Sequence, residues 1–262
     1  MLKVDSTYLK AGRGQTSYID VMGSTGDLPE TRRKPRFLCL HGFRTSGEIM
    51  REQLAAKWPD QILSRLDLFF PDAPFPAAGK SEVDGIFPPP YYEWYQYDKD
   101  FMVYPNLDKA FARVEELMIE HGPFDGLMGF SQGAILSVAL AGLQCKGLAL
   151  TTVPKVRWLV IMGGAMFKAP EVAERVYPSK IDCASLHFIG EKDFLRRNGE
   201  KLLEWFDDPV VVRHAKGHTV PRLDEDESIE RVAEFLRKIE DELAPGDAKI
   251  AINASEEGIC AS

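Results

Sequence analysis

Gly129-Phe130-Ser131-Gln132-Gly133 is the stretch whose residue types and spacing most directly suggest chemistry. The run Asp125–Phe130 ahead of it reads as a buried strand, and the small-residue run Gln132–Ala141 behind it reads as a helix. Gly-x-Ser-x-Gly between a strand and a helix predicts a nucleophile elbow. Such a turn strains the serine backbone, and glycines at 129 and 133 leave room for the neighbouring chain. The Ser131 hydroxyl would then stand at the carboxyl end of a strand. It would face a helix start whose N–H groups favour developing negative charge.

A serine nucleophile needs a base to take its proton and an acid to orient that base. After Ser131, two positions follow directly on strand-like runs. Asp193 follows Ser185–Ile189 in Gly190-Glu191-Lys192-Asp193, and His218 follows Val210–His214 in Lys216-Gly217-His218-Thr219-Val220-Pro221. Both fall on loops at strand carboxyl ends, the same sheet edge as Ser131. The chain order serine, acid, histidine is that of the α/β-hydrolases. His187 and His214 lie inside strands and His121 sits at a helix end, which favours structural roles for all three. Asp182 precedes its strand, and Asp207-Asp208-Pro209 reads as a turn, so these rival acids are set aside. The oxyanion should be held by two backbone N–H groups. One is that of Gln132, after the nucleophile; the other is that of Phe43 in His41-Gly42-Phe43, with Arg44 as the alternative. His41 is read as an orienting or structural residue rather than a base.

The elements that must position these residues form a strand–helix–strand rhythm. Strand Arg36–Leu40, a helix over 47–58 and strand Leu66–Phe70 open the fold. A helix from Pro105 to Glu120, strand 125–130, the helix after the elbow and strand Val156–Met162 come next, with a Gly/Thr-rich connection over 142–154. Strand 185–189, a helix near Arg197–Phe206, strand 210–214 and an amphipathic helix over 225–243 close it. The expected class is α/β, a mostly parallel central sheet flanked by helices. Residues 74–104 interrupt the rhythm with five prolines between 74 and 90 and six aromatics between 87 and 97. Neither helix nor alternating strand is expected there, and a loop this long is usually functional or disordered; its aromatic content argues against disorder. Tyr91, Trp94 and Tyr95 are the candidate acyl or alcohol pocket, with a satellite core beneath the loop as the plainer alternative.

The chain of 262 residues, 45% hydrophobic, supports one catalytic domain over 35–243. Residues 1–34 are expected to be a flexible extension and 244–262 a polar tail. A net charge of −8 argues against nucleic acid or an anionic membrane as the main partner. No signal-peptide pattern or membrane span is read, so the expected location is cytoplasmic. The triplet Arg32-Arg33-Lys34 would also suit a nuclear address, although a solvated run before a strand is preferred. Cys39, Cys145, Cys183 and Cys260 show no C-x-x-C spacing and are expected to be free thiols.

The set Leu40–Phe43, Pro71-Asp72-Ala73-Pro74, Gly129–Ala134, Gly190–Asp193 and Lys216–Pro221 resembles the FSH family of serine hydrolases. That family includes the ovarian-cancer-associated esterase and fungal polyketide-releasing thioesterases. The resemblance spans about residues 35–240, with the motifs in the family's order. It implies an α/β-hydrolase fold, no metal or other cofactor, and hydrolysis of carboxylic esters or thioesters by Ser131, Asp193 and His218. A small-molecule ester is the expected substrate. A thioesterase acting on an acyl carrier protein or coenzyme A, and a non-catalytic small-molecule receptor on a hydrolase fold, are the alternatives.

Overall fold

The structure, a computed structural model, describes residues 33–177 and 180–244. The expected N-terminal extension, apart from Arg33 and Lys34, lies outside the described residues. So do Cys260 and all of the C-terminal tail except Ala244.

Strand β1 (Arg36–Leu40) leads through a short loop to helix α1 (Gly47–Lys57), whose first turn is capped by the Ser46 hydroxyl accepting the Ile49 N–H. A single helical turn α2 (Asp60–Leu63) precedes strand β2 (Asp67–Phe69). Helix α3 (Leu107–His121) is followed by β5 (Gly126–Phe130) and α4 (Gln132–Cys145), which flank the elbow. Then come β6 (Trp158–Met162), α5 (Pro170–Val176), β7 (Ala184–Gly190), α6 (Arg196–Leu202), β8 (Val210–His214) and α7 (Asp226–Glu242). Six strands form one sheet in the order β2-β1-β5-β6-β7-β8, every pairing parallel.

These strands read as unbroken apolar runs because both sheet faces are covered. The pleat divides them by parity. Leu38, Leu40, Leu127, Leu159 and Ile161 face one core with α3 and α4. Phe37, Cys39, Met128, Trp158, Val160 and Met162 face the other with α1 and α7. In α7 the buried positions Val232, Phe235, Leu236 and Ile239 keep helical spacing, which explains its legibility.

Several expectations change. Residues 74–104 contain a two-stranded antiparallel sheet, β3 (Phe75–Pro76) with β4 (Tyr92–Glu93), too short to register as alternation. Pro105 does not begin α3. Its carbonyl accepts the Gln96 N–H at 3.0 Å, and Asn106 stands between it and the helix at φ 64°, its amide donating to Gln96 Oε1 at 2.6 Å. Helix α4 continues to Cys145, four residues beyond its small-residue run. Helices α2 and α5 were not expected, being too short to show a period. Arg33 is held by both Asp125 oxygens at 2.6 and 2.7 Å, and Asp125 also accepts the Arg36 N–H at 2.8 Å. That clamp fixes the entry to β1.

Among the described residues no helix is long and apolar enough to cross a membrane, and Cys39, Cys145 and Cys183 are free thiols.

Two buried histidines tie the fold to pH. His41, at the end of β1, accepts the Ala73 N–H on Nε2 at 3.0 Å, so Nδ1 carries the proton and faces the Gly42 carbonyl at 2.8 Å. His187 in β7 lies 3.0 Å from the Ser185 hydroxyl. Burial pushes their pKa values down, to about 4 for His41 and about 3 for His187. Both lie below the ordinary 6.5, so on acidification the unfolded chain takes up protons first. This contribution to stability is complete above pH 6.5 and is lost progressively toward pH 4 and below. Urea midpoints should therefore fall over that window, and His187→Gln should fall less steeply than wild type. Parallel curves would contradict the assignment. At the elbow, a Cβ on Gly133 would stand 1.9 Å from the Leu40 carbonyl oxygen. Gly133→Ala should cost about 1–3 kcal/mol, or prevent folding, in chemical denaturation.

Candidate active site

The site is assembled at the carboxyl ends of β5, β7 and β8. Ser131 has φ 52° and ψ −114°, a strained backbone for a residue with a side chain. The strain is held from both sides: its N–H donates to the Met162 carbonyl at 2.9 Å, and its carbonyl accepts the Ile135 N–H at 3.0 Å. Its Oγ lies 2.8 Å from His218 Nε2. His218 Nδ1 lies 2.9 Å from Asp193 Oδ2, and Asp193 Oδ1 accepts the Leu195 N–H at 2.7 Å. Asp193 is buried, so its carboxylate is directed by these two partners. The structure thus brings together the three residues singled out from the sequence. The rival acids Asp182 and Asp207 instead meet Lys155 and Lys180 at the surface.

Several residues that hold His218 were missed from sequence. Its ring lies between those of Phe130, at 5.1 Å, and Phe194, at 4.6 Å. Gly163 has φ 59°, and a Cβ there would stand 2.9 Å from His218 Cε1, so only glycine fits. The Gly163-Gly164 pair after a strand was the available signal. Lys57, at the end of α1, donates to Thr219 Oγ1 at 2.7 Å and to the Val220 carbonyl at 2.9 Å. It ties down the histidine loop. No local pattern could announce a contact between residues so far apart in the chain.

The 41–45 loop lies beside Ser131: a Cβ on Gly42 would be 3.7 Å from Ser131 Cβ. His41 is structural, as expected, since both ring nitrogens are engaged within the fold. Among the described residues neither the Phe43 nor the Gln132 N–H has an acceptor, and the Gln132 N–H is the first of α4. The Gln132 side chain accepts the Trp94 N–H at 2.9 Å and donates to the Tyr95 carbonyl at 2.8 Å. It joins the elbow to the aromatic loop.

A cavity of about 520 Å³ opens at Ser131. Its walls include Phe43, Tyr95, Tyr97, Tyr104, Ile135 and Phe167. Of the three expected pocket residues, only Tyr95 lines it. Trp94 is fully buried, its indole N–H donating to the His41 carbonyl at 3.0 Å and its ring 5.4 Å from that of His41. Tyr91 turns away, its hydroxyl donating to the Phe87 carbonyl at 2.6 Å. The loop turns neighbouring aromatics in different directions, which composition does not reveal.

The family model described as "Serine hydrolase (FSH1)" matches residues 31–229. An esterase of Anopheles gambiae is 30% identical over 200 residues, covering 72% of this chain and 72% of its own length. An uncharacterized hydrolase of Schizosaccharomyces pombe is 28% identical over 206 residues, 72% of this chain and 48% of its own; the chain thus spans about half the length of that relative. Among solved structures, acyl-protein thioesterase 2 of Zea mays superposes with a TM-score of 0.52 at 18% identity, over 82% of this chain and 96% of its own, a likeness of fold. With the family model covering most of the chain, and the sheet order and elbow of an α/β-hydrolase in place, this chain belongs to the FSH1 family of serine hydrolases.

Proposed function

We propose that this chain hydrolyses carboxylic esters through an acyl-enzyme on Ser131. One observation carries the reading: the unbroken relay from Ser131 Oγ to His218 Nε2 at 2.8 Å and from His218 Nδ1 to Asp193 at 2.9 Å. His218 accepts the hydroxyl proton as Ser131 Oγ bonds to the acyl carbon. The carbonyl oxygen gains charge and is held by the Phe43 and Gln132 N–H groups, aided by the start of α4. Asp193 keeps the imidazole oriented and stabilises it once charged. His218 then gives its proton to the leaving alkoxide as the ester bond breaks. Water, activated by the same nitrogen, attacks the acyl-enzyme and regenerates Ser131.

The cavity at Ser131 has chiefly apolar walls and suits an acyl chain better than a charged group. The same attack cleaves a thioester, with a thiolate leaving in place of an alkoxide. Matched oxygen and sulfur esters of one acyl group, compared by kcat/KM, separate the two substrates.

Ser131→Ala should abolish labelling by a fluorophosphonate probe and lower kcat at least about a thousandfold on simple aryl esters. Retained turnover in the purified variant would overturn the mechanism. Filling the cavity with Ile135→Trp should lower kcat/KM for long acyl chains about tenfold or more relative to acetyl. Trp94→Ala should instead act through stability, costing about 3–5 kcal/mol in urea unfolding.

A further inference from the structure

We infer that Glu93 is a positioning residue for the oxyanion-binding loop, acting through Arg44. The inference rests on the proposed role of Ser131 and of the Phe43 and Gln132 N–H groups.

Glu93 lies in β4, within the aromatic loop, and is fully buried. A buried carboxylate is retained only where charged or hydrogen-bonding partners compensate its lost water. Its Oε2 accepts Arg44 Nε at 3.1 Å and its Oε1 accepts the Gln96 amide at 2.8 Å. Arg44 directly follows Phe43 and has φ 53°, a left-handed conformation that a residue with a long side chain adopts only when its surroundings impose it. Those surroundings are on view. The Arg44 carbonyl accepts the Ser81 hydroxyl at 2.6 Å, and its guanidinium donates to the Lys80 carbonyl at 3.3 Å as well as to Glu93. The guanidinium also lies over the Phe43 ring, 4.6 Å from its centre.

The remaining ties of the same strand reach the same places. The Tyr92 N–H donates to the Thr45 carbonyl at 2.6 Å, beyond Arg44. Trp94 donates to the His41 carbonyl, before Gly42, and the Gln132 side chain spans Trp94 and Tyr95. Four consecutive residues, 92–95, therefore grip both segments that carry the candidate oxyanion donors. Of these grips only the Glu93–Arg44 pair is ionic, and it acts at the residue whose backbone is strained. Remove the charge, and Arg44 loses its ionic tie and can relax toward negative φ, shifting the adjoining 42–44 backbone and with it the Phe43 N–H.

Glu93→Gln tests this, since it keeps an oxygen for Gln96 while the charge and the acceptor facing Arg44 are lost together. Active sites are counted by complete fluorophosphonate titration, so that unfolded protein does not enter the rate. The expected result is a kcat per titrated site about ten- to a hundredfold lower, a KM within about twofold of wild type, and an unmoved pH profile. The affinity of an alkyl boronic acid, whose serine adduct places an oxygen in the same hole, should fall in proportion to kcat. An unchanged kcat per site with unchanged boronate affinity would overturn the inference, as would a loss arising wholly from fewer titratable sites. Should Glu93→Gln not fold, Arg44→Lys keeps the charge but loses the fork that reaches both Glu93 and Lys80. A lowered kcat at constant KM there supports the inference and a wild-type kcat overturns it. A turnover-competent Ser131→Ala would instead remove the mechanism itself. An inactive Ser131→Ala beside an unimpaired Glu93→Gln removes only the role of Glu93.

Discussion

The contact between the first turn of α4 and the end of β1 is the constraint on which the rest depends. Gly133 packs so closely on the Leu40 carbonyl that no side chain fits between them. That approach brings β1, β5 and the helix start to one point. The turn at residue 131 has then to be abrupt, and Ser131 takes its positive φ. The loop leaving β1 is carried across Ser131 in the same way, with Gly42 against Phe130 and Ser131. One backbone contact thus explains the strained serine, the nearby pair of amides without acceptors among the described residues, and the glycine spacing of the motif. Strain of this kind persists only where the surroundings over-determine it. Here the sheet does so through Met162 and the helix through Ile135.

The aromatic loop is the second organising element, and its polar atoms matter as much as its rings. Trp94 is a fully buried indole whose N–H ends on the His41 carbonyl, so it holds the loop after β1 rather than a ligand. Tyr95 and Tyr97 turn the other way and form cavity wall. A single loop thus holds the 41–45 segment on one side and lines the cavity at Ser131 on the other. The Tyr95 carbonyl and the Gln132 side chain are joined by a single hydrogen bond.

Histidines show how burial assigns roles to one residue type. His41 and His187 lie inside the fold, and desolvation keeps them neutral well into the acid range. His41 serves as a fixed acceptor for the Ala73 N–H, which explains why the Pro71–Pro74 segment accompanies the His41-Gly42-Phe43 loop. In the same segment, Asp72 accepts the Gly47 N–H at the start of α1. His218 packs against two aromatic rings, its nitrogens aimed at a hydroxyl and a carboxylate. Position in the fold, rather than the imidazole itself, separates a packing group from the proposed base.

Much was legible in the amino-acid sequence alone. The parallel α/β class followed from apolar runs alternating with helical periods, and the elbow from glycines two residues either side of a serine. Asp193 and His218 followed from loops placed just after strands, because a parallel sheet sends all such loops to one edge. These features are local, or follow from the regular geometry of the sheet. What only the tertiary structure decided was which side chains turn toward the site. Tyr95 lines the cavity while Trp94 and Tyr91 do not; Lys57 holds the histidine loop; Glu93 reaches Arg44. Each of these depends on chain segments distant in sequence meeting at a set angle. An irregular loop has no period from which such an angle can be read.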